Sequence, residues 1–309
     1  MIRTSFVLQF PGQGSQVVGM GKALCAASAA AAEVFERADE ILGYRISEIC
    51  FTGPEETLND TSTTQPALLT TSVAILRALE DELEEAPSFV AGHSLGEFSA
   101  LVAAGALSFE AALRLVERRG ELMKAAGEES PGGMAAVIGL APSTLTAACR
   151  AAQERTGGYV GIANDNCPGQ VVISGDEEAL EACAELAQAA GARRVIRLAV
   201  SIAAHSPLMA DAATAFRQAL DEAPLKHPAI PVVANATARP LEDPEALRHA
   251  LAQQLTSPVR WSESVRWMID QGATRFIEVG PRDILTGLLR RIDRSVDRLT
   301  AEQALGREI

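Results

Sequence analysis

The chain has 309 residues, enough for about two domains and for a core that needs no disulfide or metal staple. Hydrophobic residues make up 48% and charged residues 22%, which excludes a disordered polymer, and no apolar run approaches the ~20 residues of a membrane span, so a soluble cytoplasmic protein is expected. A net charge of −13, from 27 basic and 40 acidic side chains, repels polyphosphate and excludes nucleic acid as the main partner.

In chain order, Met1 to Ser5 lead straight into a strand, Thr4 to Phe10, rather than into a signal-peptide core. The strand ends in Pro11-Gly12-Gln13-Gly14-Ser15-Gln16, a tight loop able to turn backbone N–H groups inward. Helical patterns follow over Lys22 to Leu42 and Pro66 to Glu84, the second with proline in its first turn. A short apolar strand, Ser88 to Ala91, runs into Gly92-His93-Ser94-Leu95-Gly96, and Phe98 to Ala104 reads as a buried helix. The next helix spans Phe109 to Lys124.

Between about Ser130 and Arg197 the pattern becomes strand (Met134 to Leu140), helix after Pro142, strands at Tyr159 to Ala163 and Gln170 to Ser174, helix from Glu177, strand from Arg194 to Ala199. That is the split β-α-β-β-α-β order of a ferredoxin-like unit, with Asp176 as a helix N-cap and Gly191 past the helix end. Afterwards come a strand at Ile230 to Ala234, helices at Pro244 to Leu255 and Ser262 to Gln271, a strand at Arg275 to Val279 and a final helix from Ile284. The expected fold is α/β: a large domain with a parallel sheet, residues 1–129 and 198–309, interrupted by a small insertion, residues 130–197.

Five cysteines without a Cys-x-x-Cys pair, and four histidines without a His-x-x-x-His pair, indicate neither a zinc site nor a disulfide framework. Gly92-x-Ser94-x-Gly96 between strand and helix is the pattern of a nucleophile elbow: a sharp turn that exposes Ser94 and aims the Leu95 backbone N–H at a substrate carbonyl oxygen. A serine hydroxyl needs a base, and His205, where the chain re-enters the large domain ahead of a helix begun by Ser206-Pro207, is the best placed. His93 projects away from the elbow, while His227 and His249 lie in a polar loop and on a charged helix. In the Phe109 helix, Phe109, Ala112, Leu113, Val116 and Met123 form one apolar stripe, and Arg119 falls on it. An inward guanidinium requires a partner, either an internal carboxylate or a ligand's.

Several separate motifs now accumulate: Phe10-Pro11-Gly12-Gln13-Gly14-Ser15-Gln16, Thr64-Gln65-Pro66-Ala67, Gly92-His93-Ser94-Leu95-Gly96-Glu97, Arg119-Gly120, Asn164-Asp165-Asn166-Cys167-Pro168-Gly169-Gln170, His205-Ser206-Pro207-Leu208-Met209, Gln254-Leu255 with Pro258-Val259, and Val279-Gly280-Pro281. Together, over essentially the whole chain, they resemble the malonyl-CoA:acyl carrier protein transacylase family. The resemblance implies a hydrolase-like large domain with a parallel sheet plus an inserted ferredoxin-like small domain. It implies Ser94 as nucleophile, His205 as base, Arg119 as clamp for the malonyl carboxylate, and Gln13 with Leu95 as backbone donors of an oxyanion hole. Gln254 is implied to line the site, its backbone carbonyl orienting His205 in place of an aspartate.

The activity so implied is S-malonyl transfer from malonyl-CoA to an acyl carrier protein in fatty acid biosynthesis, with no metal or redox cofactor and coenzyme A thioester as substrate. A serine hydrolase of acyl thioesters and a free-standing loader of a polyketide synthase are the alternatives. A monomer is expected. Two departures from the family pattern are Ala204 before the histidine, leaving room beside the malonyl C2, and Arg282-Asp283 after Gly-Pro. Because the carrier is acidic, docking is expected on a basic island, either Arg290, Arg291, Arg294 and Arg298 or Arg193, Arg194 and Arg197.

Overall fold

The computed structural model describes residues 5–309 apart from Asp81 and Glu84; Thr4 and the Glu84 end of the second expected helix therefore lie outside the described residues. Strand β1 (Ser5–Phe10) enters the core, and its loop leads to α1 (Lys22–Ala27) and α2 (Ala29–Leu42). The single helix expected there is split at Ser28, whose extended backbone and hydroxyl cap the Ala31 N–H. Two short helices unanticipated from sequence, α3 (Ile46–Thr52) and α4 (Glu55–Asn59), precede α5 (Thr61–Glu80). This last helix starts five residues ahead of Pro66, because the Asp60 carboxylate accepts the Ser62 N–H and hydroxyl and holds the first turn that the Thr-rich sequence disguises. Pro66 is thus inside the helix rather than in its first turn.

Strand β2 (Phe89–Gly92), α6 (Gly96–Ala103) and α7 (Phe109–Glu129) follow. The insertion comprises β3 (Gly132–Ile138), α8 (Pro142–Thr156), β4 (Val160–Cys167), β5 (Gln170–Asp176), α9 (Glu177–Ala189) and β6 (Arg194–Arg197). Its four strands lie in the order β4-β5-β3-β6, all antiparallel, as the split βαβ pattern requires. Asp176 does sit at the N-cap position of α9, but its carboxylate accepts the Tyr159 N–H and caps nothing.

The chain then forms α10 (Ala210–Glu222), the short strands β7 (Val232–Val233) and β8 (Pro240–Leu241), α11 (Pro244–Gln254), α12 (Trp261–Asp270), β9 (Ala273–Glu278) and α13 (Ile284–Ile292). The helix expected to be last is followed by β10 (Asp297–Thr300) and α14 (Ala301–Leu305). The six-stranded sheet runs β10-β9-β1-β2-β7-β8 and is parallel except for its β8 edge. Helices cover both faces, so its central strands are mostly apolar: Val7, Leu8, Phe10, Val90 and Ala91 are all buried, and Gln9 is the buried polar exception in β1. The C-terminal ends of β1 and β2 therefore open toward the insertion, where an open parallel sheet conventionally offers a ligand crevice. The insertion is tied in from several sides: Asn164 bridges to Val259, and Arg291 donates to Gln170 Oε1 and to the Pro168 and Gly169 carbonyls. Among the described residues no helix is long and apolar enough to cross a membrane.

Candidate active site

The turn between β2 and α6 places Ser94 at φ 51°, in the left-handed region that costs a residue with a Cβ about 1–3 kcal/mol. Its neighbours explain the glycines. A Cβ on Gly92 would lie 1.9 Å from the Gly96 carbonyl carbon, and one on Gly96 would lie 2.0 Å from the Phe10 carbonyl oxygen, so neither position admits a side chain. Asn235, just beyond β7, fastens the bend: its Nδ2 donates to the Gly92 carbonyl at 2.6 Å and its Oδ1 accepts the Ser94 N–H at 2.6 Å. The helix that follows the turn directs its positive end at the serine.

His205 stands opposite at φ 60°, buried, with Nε2 2.8 Å from Ser94 Oγ. Its Nδ1 faces two carbonyls, Gln254 at 2.8 Å and Ser257 at 3.2 Å, and carbonyls only accept. Nδ1 therefore carries the proton and Nε2 is the free acceptor for the serine O–H. Burial, reinforced by the positive charge of Arg119, pushes the imidazole down to about 3, which keeps it neutral and available as a base.

Arg119 is 1% exposed and projects from the buried stripe of α7 formed with Ala112, Leu113, Val116 and Met123. Among the described residues no carboxylate forms an ion pair with it. Nη1 donates to Gln65 Oε1 at 2.8 Å, and Nη2 donates to Gln254 Oε1 at 2.9 Å and to Ser94 Oγ at 3.3 Å. Its Nε is buried without a partner among the described residues. Burial draws the guanidinium down to about 10, still charged at neutral pH. A buried cation held by neutral amides beside a hydroxyl has the chemistry to pair with an anion.

Gln13 and Leu95 line the same pocket as Ser94, and among the described residues neither backbone N–H donates to a protein acceptor. About 580 Å³ of open space meets Ser94, Arg119, His205, Ile202 and Ala204, and it continues through Gln13, His93, Asn164, Leu198 and Val200 into an outer cleft of about 1270 Å³ bounded by Gln16, Asn59, Asn166 and Ile284. The cleft thus has strands β3, β4 and β5 of the four-stranded sheet on one side and the loop after β1, the β2–α6 turn and the start of α13 on the other.

All six residues anticipated from sequence meet here. Four others were quoted without a role or passed over: Gln65, Glu97, Asn166 and Asn235. Glu97 had a readable signal, a carboxylate opening an otherwise apolar helix, and it proves 1% exposed with Oε2 accepting the Gln254 Nε2–H at 2.6 Å. His93 is no base: its Nε2–H donates to Asn166 Oδ1 at 2.8 Å, joining the elbow to the insertion. His227 and His249 are exposed, as expected. Of the basic islands, Arg197 pairs with Glu177, Arg291 is engaged by the insertion and Arg298 donates to the Asp293, Arg294 and Val296 carbonyls. Arg193, Arg194, Arg290 and Arg294 remain exposed. Among the described residues no cluster of His, Cys, Asp and Glu is arranged to hold a metal ion.

The acyl transferase domain model matches residues 6–309. The chain is 45% identical over 298 residues to the malonyl CoA-acyl carrier protein transacylase of Escherichia coli K12, covering 96% of this chain and 95% of that one. Among solved structures, the malonyl CoA-acyl carrier protein transacylase from Coxiella burnetii superimposes with a TM-score of 0.95 at 40% identity, over 98% of this chain and 96% of that one. A malonyl-transacylase in complex with its type II PKS acyl-carrier protein gives 0.94 at 43% identity, over 97% of both chains.

Proposed function

The chain belongs to the malonyl-CoA:acyl carrier protein transacylase family, and on that premise we propose that Ser94 is the residue on which it carries the malonyl group from malonyl-CoA to the phosphopantetheine thiol of an acyl carrier protein. The activity is S-malonyl transfer in fatty acid biosynthesis, and its donor is a coenzyme A thioester. The carrying observation is that Ser94 Oγ lies within hydrogen-bond reach of both His205 Nε2, at 2.8 Å, and Arg119 Nη2, at 3.3 Å. One hydroxyl is thereby served by a neutral base and flanked by a cation whose hydrogen-bond partners, among the described residues, are all neutral.

In the first half-reaction the serine O–H passes its proton to His205 Nε2 as Oγ attacks the thioester carbonyl. The Gln13 and Leu95 N–H groups receive the oxyanion, each supplying about 3 kcal/mol, and the imidazolium returns its proton to the departing sulfur. The malonyl ester on Ser94 keeps its carboxylate against Arg119, which exchanges contacts with Gln65 and Gln254 for a charged partner. The carrier's thiol then attacks the ester by the reverse route, giving ping-pong kinetics. We assign residues 1–129 and 198–309 to the catalytic unit and 130–197 to the second wall of the cleft, a division that the separate sheets support.

Incubation with malonyl-CoA and holo-carrier, followed by separation of malonyl-carrier from free malonate, tests the transfer. Stoichiometric malonyl-carrier is expected, whereas malonate as the main product would make the chain a thioester hydrolase. The likeness to a transacylase bound to a type II PKS carrier favours a second reading, loading of a polyketide carrier, and a parallel assay with that carrier class separates the two.

A further inference from the structure

Glu97 lies in the first turn of α6, three residues beyond the nucleophile. Its hydrogen-bond partner is an amide rather than a cation: Oε2 accepts Gln254 Nε2–H at 2.6 Å. The same nitrogen donates to the Ser94 carbonyl at 3.0 Å, while Gln254 Oε1 accepts from Arg119 at 2.9 Å. With two acceptors on its nitrogen side and a donor on its oxygen side, this amide has one orientation. Its backbone carbonyl meanwhile holds His205 Nδ1. Glu97 and Arg119 are therefore opposite charges at the two ends of one amide, in a pocket where little water screens them.

The groups acting on the Glu97 carboxylate are Arg119 from α7, the Gln254 amide from α11 and the Asn235 backbone beyond β7. Arg119 is the only ionised one among them. A ligand carboxylate arriving at the guanidinium adds a second negative charge within reach of a single cation. Resting on the malonyl reading above, we propose that Glu97 is the resting counter-charge of the Arg119 clamp and takes up a proton as the malonyl carboxylate docks. The site then holds one balanced pair before and after binding. A neutral acyl group triggers no such exchange and leaves Glu97 to keep the guanidinium turned toward Gln254. Burial already lifts the Glu97 carboxyl to about 7, so the exchange falls in the neutral range.

Binding calorimetry on a Ser94→Ala variant, which binds malonyl-CoA without consuming it, reads the proton directly when run at pH 8 in buffers of low and high ionisation enthalpy. Uptake approaching one proton more than for coenzyme A is expected, and Glu97→Gln on the same background should abolish the difference. Equal uptake with and without Glu97 overturns the proposal. Should the double variant not fold, Ser94→Ala alone still decides: malonyl-CoA affinity must fall by up to about tenfold per pH unit above pH 7 while coenzyme A affinity stays level, and parallel pH profiles refute it. Absence of malonyl-CoA binding altogether would instead sink the malonyl reading, so the two failures are distinguishable.

Discussion

Replacing Arg119 with alanine separates its role as a carboxylate clamp from a structural role. In the resting site the guanidinium is buried and, among the described residues, hydrogen-bonded to Gln65, Gln254 and Ser94, all neutral, with the Glu97 carboxyl one amide away beyond Gln254. A malonyl carboxylate is thus the first anion in direct contact with it. Removing one partner of such a desolvated pair costs about 3–5 kcal/mol. At 1.36 kcal/mol per tenfold, kcat/KM for malonyl-CoA should fall by roughly two to nearly four powers of ten. Acetyl-CoA behaves oppositely. In the parent enzyme it brings the guanidinium no carboxylate, so the variant should transfer acetyl at least about tenfold better relative to malonyl than before. Transfer to holo-carrier is followed for both donors, with thermal melting alongside, because two buried amide oxygens lose their donor at about 1–3 kcal/mol each. An unchanged malonyl-to-acetyl ratio in a folded variant would refute the clamp.

Gly92→Ala should abolish activity and lower the melting temperature, since its Cβ would sit 1.9 Å from backbone that cannot move without undoing the elbow; a melting curve and activity like the parent's would contradict this. Because burial and the Arg119 charge hold His205 neutral down to about 3 in the free enzyme, kcat/KM for acylation at subsaturating malonyl-CoA should show no decline from pH 7 to pH 5, and a decline centred near 6.5 would mean the imidazole titrates freely. Glu278, buried in β9, accepts the Leu285 and Thr286 N–H groups at the start of α13, and burial raises its carboxyl from 4.5 to about 7. The folded state therefore binds more proton than the unfolded between those values, so this stabilisation is present at low pH and is lost as pH rises through 7. Parent stability should fall relative to Glu278→Gln by about 2–3 kcal/mol between pH 5 and pH 8 in urea denaturation, and a constant gap would oppose the assignment.

The site was largely legible where chemistry forces a local pattern. Gly-x-Ser-x-Gly set between an apolar strand and a buried helix is the local pattern of a sharp bend, and Arg119 announced itself by standing on an apolar stripe. The insertion was legible because its helices and strands alternate with clear punctuation. Residues whose role depends on meeting a distant partner were not. Asn235 is 141 residues from the serine it anchors, and Gln65 is 54 from Arg119, so neither carries a spacing signal. Asp176 occupies an N-cap position, yet the Tyr159 N–H across the strand claims its carboxylate. Strand β10 is only four residues long with Leu299 as its one apolar residue, and its pairing with β9 is what makes it a strand.

The central claim is that Ser94 holds the malonyl group between donor and acceptor. Intact-mass measurement after mixing the protein with malonyl-CoA alone tests it most directly, with Ser94→Ala as the comparison. A single malonyl-sized increment that is absent in the variant and discharged by added holo-carrier is predicted. An increment that persists in Ser94→Ala, or carrier malonylation without Ser94, would contradict the account.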